Sequence, residues 1–215
     1  MLISPLSPYE AALGDLLTGL HPRLRAYFGA IPAGCVGVGS GVFDIVGSPR
    51  RWVRLLLRVL EAENIAFAVW QTNVPFRVEN RPVIDPLGRV AVTARRTFDF
   101  GGSAGTKTML DAITATEHGL VDYLGRHRRL AAHLIANIPD GELHLTSTSL
   151  RLHLGRAHFA IPRVIAPRVQ LTERFDEADG RQHVSVRIVA PVIGTVYEYG
   201  GSFTYDILPD QEPPS

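Results

Sequence analysis

From residue 65 onward, apolar and polar positions alternate with a period of two, the spacing at which successive side chains of a strand point to opposite faces. Ala66, Ala68, Trp70, Val74, Phe76 and Val78 alternate with polar neighbours. The same pattern runs through GRVAVTARRTFDF, TKTMLDAITAT, RRLAAHLIANI, ELHLTST, LRLHLG, AHFAIP, RVQLTERF, QHVSVRIVA and TVYEYGGSFTYDI. Turn signals separate these segments at Asp85-Pro86-Leu87-Gly88, Gly101-Gly102, Pro139-Asp140-Gly141, Gly155 and Asp179-Gly180. Roughly nine antiparallel strands follow from this pattern, enough for a strongly curved sheet or a barrel. Trp70, Phe76, Phe98, Leu152 and Val186 share phase with the apolar residues of their strands and are expected on the buried, concave side.

Ahead of the strands the period is helical. Ser7-Pro8-Tyr9-Glu10 combines a Ser cap, Glu three residues later and Pro at the first helical position, which predicts a helix over 8–20. Its stripe is Tyr9, Leu13, Leu16, Leu17 and Leu20, and His21-Pro22 ends it and begins a short second turn. Ser48 before Pro49 predicts another helix over 49–61, with Ser48 as cap. Trp52, Leu55, Leu56, Val59 and Leu60 are expected to face the core, and Arg51, Arg54 and Arg58 to line a solvated side. A basic amphipathic helix also suits contact with anionic lipid, but three charges favour the solvated face. Between the helices, Gly37, Gly39 and Gly41 alternate with Val36, Val38 and Val42. The spacing is not that of a dinucleotide-binding turn; it gives a bare strand face that a helix, a strand or a ligand can approach closely.

One residue breaks the alternation in an informative way. In the strand around ARRTFDF, Val90, Val92, Ala94, Phe98 and Phe100 share a face, and Arg96 has their phase. A charge aimed at a core costs several kcal/mol unless it is paired or the core is open to water. The matching anomaly is Glu173, in phase with Val169, Leu171 and Phe175. Three arrangements fit: an Arg96–Glu173 pair across the interior, a wet cavity in which Arg96 meets a polar ligand group, or a bulge that turns the arginine outward. Thr195, Tyr197, Tyr199, Phe203, Tyr205 and Ile207 keep one phase, so tyrosine hydroxyls either reach the interior or form a half-buried rim.

Composition narrows the classes. The chain has 215 residues, 46% hydrophobic and 20% charged, with 22 basic against 21 acidic residues. This is a globular composition without the net charge that draws a protein to nucleic acid. Cys35 is the sole cysteine, in the small apolar context PAGCVGVGSG, which excludes an internal disulfide and reads as a packed thiol. Neither a signal peptide nor an apolar run of about 20 residues is present, so a cytoplasmic location is expected. With two assumed turns, at Ser147-Thr148 and Gly155-Arg156, Glu142, His153 and His158 would form a row resembling a two-His, one-carboxylate site. That needs both registers to hold, and no metal is expected. Glu117, His118 and Asp122 lie close in sequence but have no nucleophile or glycine elbow beside them.

Several segments carry a family resemblance: Leu20-His21-Pro22-Arg23-Leu24-Arg25-Ala26-Tyr27-Phe28, Arg96-Thr97-Phe98, HGLVDYLG at 118–125 and GTVYEYGGSF at 194–203. Over roughly residues 15 to 206 the chain resembles the bacterial family catalogued as domain of unknown function 4166. Members of that family stand alone or are appended to dehydrogenase-like or epimerase-like chains and to a multi-pass membrane protein. The family has no established activity, so the resemblance implies no catalytic residues. Its motif arginine falls on Arg96 and its Tyr-containing final strand on Tyr199 and Gly200. Where similar domains have a tryptophan before the arginine, this chain has Ala94 and Arg95.

The expected fold is a single α+β domain over 1–207, two N-terminal helices packed on a large curved antiparallel sheet or half-barrel, with a disordered tail over 208–215. The expected function is binding of an apolar or amphipathic small molecule in the cavity of that sheet. Arg96 is the anchor, Glu173 its neighbour, and Trp70, Phe76, Phe98, Tyr197 and Tyr199 are the walls. The alternatives are a cyclase or isomerase using Glu173 or a tyrosine as acid–base group, and a non-catalytic protein-interaction domain. No cofactor and no nucleic-acid partner are expected, and peripheral contact with a membrane or a partner enzyme stays open, as does the oligomeric state.

Overall fold

The computed structural model describes residues 6–154 and 157–211. Its strands are β1 (Cys35–Gly47), β2 (Trp70–Ile84), β3 (Val90–Asp99), β4 (Thr106–Thr116), β5 (Gly119–Leu124) and β6 (Leu130–Asn137). β7 (Leu143–Leu154), β8 (Ala157–Ala160), β9 (Arg168–Asp176), β10 (Arg181–Ala190) and β11 (Gly194–Pro209) follow. They lie in the order β6-β5-β4-β3-β2-β1-β11-β10-β9-β7-β8, and β6 pairs again with β7. Ten strands therefore close into an antiparallel barrel, and β8 hangs outside as a hairpin on β7.

The structure goes further than the expected curved sheet or half-barrel, and the ring closes fully because β7 uses both edges. One edge pairs with Leu130–Asn137 of β6; the other takes β9 at Leu143–Thr146 and β8 further along. Ser147-Thr148, expected as a turn, is instead a bulge: His133 is paired with Ser149 and Leu134 with Ser147, leaving Thr148 unmatched. ELHLTST and LRLHLG are thus one strand. At the other end of the chain, β11 continues through Pro209, opposite Cys35. Residues 212–215 and the expected turn at Gly155-Arg156 lie outside the described residues.

Three short helices, not two, accompany the barrel. α1 (Pro8–Leu13) starts with the expected capping box, in which the Ser7 hydroxyl accepts from the Glu10 amide at 3.1 Å and the Glu10 carboxylate from the Ser7 amide at 2.7 Å. Gly14, at φ 50°, ends it after two turns, and a 3₁₀ turn over Gly14–Gly19 replaces the rest of the expected helix. Leu17 and Leu20 are buried, while Leu16 points outward. α2 (Pro22–Phe28) follows, its N-terminus held by the His21 imidazole, which accepts from the Arg23 amide. The His21 amide donates to Gly141 at 3.0 Å and its ring meets Glu177 at 2.9 Å. Both partners sit in turns at one end of the barrel, so this unit plugs that mouth.

α3 (Arg51–Ala62) stands between β1 and β2 and crosses the opposite mouth. At its start Arg50 donates to the Thr195 carbonyl at 3.3 Å; at its end Glu61 pairs with Lys107, and Glu63 with His127 and Arg129. Ser48 is not its cap. The helix begins three residues later, and the buried Ser48 hydroxyl accepts from the Arg50 amide at 3.2 Å in a local turn. The inward face also departs from expectation: Val53 and Leu57 are buried and Leu60 partly so, whereas Trp52, Leu55, Leu56 and Val59 are exposed. The helix has two neighbouring apolar stripes, and the lid position leaves room to bury only one.

The core forms in two parts. Under the lid, Val53 and Leu57 pack with Phe43, Phe67, Phe76, Phe98, Val186 and Tyr197; around the plug, Leu17, Leu20, Leu24 and Phe28 pack with Leu120, Leu134, Leu143 and Leu145. Phe76, Phe98 and Val186 are buried as expected, Leu152 is half-buried, and Trp70 is exposed. Asn73, at φ 53°, lies between Trp70 and Val74, so strand phase does not carry across it. The bare glycine face of β1 is covered by side chains of β11: a Cβ on Gly37 would overlap the Tyr205 hydroxyl, and one on Gly39 would press on Phe203 and Val78. Gly37→Ala should cost about 1–3 kcal/mol in urea denaturation, and Tyr205→Phe in the same chain should recover part of it by removing the overlapping oxygen.

Candidate functional site

Between plug and lid the barrel encloses a cavity of about 90 Å³. Its polar lining is Arg96, Asp111, Asp122, Glu173, Asn80 and the tyrosines Tyr9, Tyr27 and Tyr199; Met109, Ile113, Leu134 and Leu145 supply apolar wall. The volume holds several waters or a few heavy atoms of a ligand.

Strand register explains which charges meet. Arg96 of β3 lies opposite Met109 of β4, and Ala94 opposite Asp111, so Arg96 and Asp111 are diagonal neighbours on the inner face. They form an ion pair between Nη1 and Oδ2. The Arg96–Glu173 pair, one of the three arrangements the sequence allows, is therefore not the one that forms. Glu173 is in β9, and its carboxylate accepts a hydrogen bond from Gln182 of β10, again a diagonal neighbour. Glu173 still shares the cavity with Arg96, as does Asp122 of β5. Asp122 Oδ1 is sealed from solvent and has no hydrogen-bond partner.

These environments move the protonation equilibria. Burial pushes the Glu173 carboxyl up to about 7, against the opposing pull of the Gln182 hydrogen bond and the Arg96 charge. Burial likewise raises Asp122 to about 6, and Arg96 opposes it. For Arg96 itself burial disfavours the charge, but Tyr199, Tyr27, Asp122 and Tyr9 outweigh that and hold the guanidinium above its usual value. Tyr9, Tyr27 and Tyr199 are all raised, chiefly by burial, and remain neutral donors at physiological pH. Tyr27 is fixed by ring contacts to Phe28 and Tyr205, with centroids 4.7 and 4.5 Å away.

Of the residues expected to line a site, Arg96, Glu173 and Tyr199 do line the cavity. Phe76, Phe98 and Tyr197 belong to the packed cluster under the lid, and the Tyr197 hydroxyl accepts from the Phe67 amide at 3.2 Å. Trp70 is at the lid end of β2 and exposed. Asp111 and Asp122 were findable by the reasoning that singled out Arg96: Asp111 is in step with Met109 and Ile113, Asp122 with Leu120 and Leu124. Tyr9 and Tyr27 come from the plug, which no strand phase predicts. Asp122 is also far from the role its sequence neighbours suggest, since Glu117 and His118 are exposed at the β4–β5 turn.

The histidine row does not assemble. His153 and His158 are paired, their rings 4.5 Å apart, but Glu142 precedes the far end of β7 and bonds His144 at 3.0 Å. A separate group, Asp176, Asp179 and His183, brings its ligand atoms within 4.8 Å of one another at the β9–β10 turn. Its members are already engaged, Asp176 by Arg174 and Asp179 by His183.

The model of a family described as a domain of unknown function (DUF4166) matches residues 20–203. An uncharacterized protein of Bacillus subtilis (strain 168), YndH, is 24% identical over 188 residues, which cover 86% of this chain and 90% of the relative. No solved structure matches the chain.

Two outcomes follow from the cavity. Arg96→Met strands the buried Asp111 carboxylate and should cost about 3–5 kcal/mol in urea denaturation, while the Arg96→Met/Asp111→Asn double variant should recover much of it. Because the folded pKa of Glu173 lies above its usual 4.5, the barrel favours the protonated form. That stabilisation is full below about pH 4.5 and is lost as pH rises through about 7, a change of about 3 kcal/mol that Glu173→Gln should flatten.

Proposed function

The chain belongs to the DUF4166 family, and on that premise we propose that its barrel binds a small amphipathic molecule, with the polar end in the cavity at Arg96, Asp111 and Asp122. The observation that carries this reading is the unpartnered Asp122 Oδ1. A buried acceptor left without a donor costs about 1–3 kcal/mol, and a ligand hydroxyl or amine in the cavity relieves it. Arg96 has five N–H donors, more than Asp111 alone can use, so it offers hydrogen bonds to a ligand oxygen at the same time. Three carboxyls around one guanidinium favour a neutral or zwitterionic polar end over a bare carboxylate.

Small-molecule pockets commonly span roughly 300–1,000 Å³, so a cavity of about 90 Å³ suits only the polar end of such a molecule. Tyr27 also forms a wall of an outer groove of about 460 Å³ beside Arg23, Phe175, Phe203 and Tyr205. Tyr27 lines both spaces, so a ligand whose polar end is in the cavity has the outer groove beside it for its apolar end.

A second reading rests on the Glu173 carboxyl, pushed to about 7. A group that titrates near neutrality serves as a general acid or base, which fits an isomerase or cyclase acting in the same cavity. Native mass spectrometry of protein purified from its own host tests both. We expect a bound small molecule, and at least about tenfold weaker retention in Asp122→Asn, which puts a donor where an acceptor is needed without breaking the Arg96–Asp111 pair. A molecule retained equally by Asp122→Asn contradicts the proposed position. Interconversion of two bound species by the wild type but not by Glu173→Gln would favour the enzyme.

A further inference from the structure

Basic residues cluster around the lid although the chain is nearly neutral. Among the described residues, the connections at the lid end carry Arg50, Arg51, Arg54 and Arg58 in and before α3, and Arg126, Arg128 and Arg129 between β5 and β6. The same connections carry two acids, Glu61 and Glu63. Both acids are engaged, Glu61 by Lys107 and the Ala68 amide, Glu63 by His127 and Arg129.

The basic end is also where apolar surface is left uncovered. Trp52, Leu55, Leu56 and Val59, at i, i+3, i+4 and i+7 of α3, are 51%, 63%, 64% and 71% exposed. Val192 at the β10–β11 turn is exposed at the same end. Val192 holds φ 65°, a conformation unfavourable for a β-branched residue, and presents its whole side chain to solvent. No helix among the described residues is long and apolar enough to cross a membrane.

We propose that the lid end docks on an anionic membrane surface, with the outer stripe of α3 and the Val192 tip in the headgroup–acyl boundary and Arg51 and Arg58 against lipid phosphates. Tryptophan and leucine facing outward between arginines, with the helix acids tied inward, is the pattern of an interfacial helix. The complementarity is with a negative, planar surface, which a ring of arginines around protruding apolar side chains can meet all at once. This inference does not rest on the cavity: a barrel with nothing bound inside presents the same end.

Co-sedimentation with phosphatidylcholine vesicles, with and without phosphatidylglycerol, tests it on the full chain. Trp70→Phe leaves Trp52 as the single tryptophan, because the chain has two. We expect binding to the anionic vesicles only, reversed by salt, with a blue shift of Trp52 emission. Arg51→Glu/Arg58→Glu should weaken binding at least about tenfold. Leu55→Ser/Leu56→Ser should abolish the blue shift with the barrel intact by circular dichroism, since these side chains do not pack in the core. Absence of binding at low salt, or equal binding to neutral vesicles, overturns the proposal. So does self-association of the wild type that the two serine substitutions abolish, which would assign the face to a second copy of the chain.

Discussion

Four residues of β7, Leu143 to Thr146, join β9 to β6 and turn a long sheet into a ring. Without that short ladder, β7 and β9 would face each other as free edges and the inner faces of both would open to water. With it, the charged side chains of the inner face are largely withdrawn from bulk solvent and meet one another inside. Arg96 finds Asp111 and Glu173 finds Gln182; Asp122 is left with one oxygen unpartnered. The polar cavity is therefore a product of closure, since the same residues on an open sheet would be hydrated and unremarkable in their protonation.

Much of this was legible along the chain because strand phase is a strict period. Arg96 and Glu173 declare themselves by falling in step with valines, leucines and phenylalanines, and so do Asp111 and Asp122. Phase says which face a residue takes but not which strand lies beside it. The choice of Asp111 over Glu173 as partner of Arg96 is set by the β3–β4 register, which depends on the turn between them. β7 escaped for a related reason: Ser and Thr suit a turn and a bulge equally, and only the pairing with His133 and Leu134 distinguishes them.

The helices show the other limit. Ser7 and Glu10 are a local device and read correctly, because both bonds close within four residues. The inward face of α3 is not local. A helix with two apolar stripes carries no internal preference between them, and the ring beneath it takes Val53 and Leu57 and leaves Trp52 and Leu55 out. Gly37 belongs to the same class: its bareness was visible, but the tyrosine that fills it comes from β11.

The placement of the plug bears on how the ring is made. α1 and α2 precede every strand, yet they finish enclosed by strands drawn from the whole chain, and β1 pairs with β11 from Cys35 opposite Pro209. During synthesis Leu17, Leu20, Leu24 and Phe28 emerge long before β9 to β11 exist to surround them. Pairings of such sequence separation are slow to form, since the loop entropy is spent before any contact repays it. The N-terminal leucines therefore spend the interval as exposed apolar surface on a nascent chain, a natural substrate for a holdase chaperone.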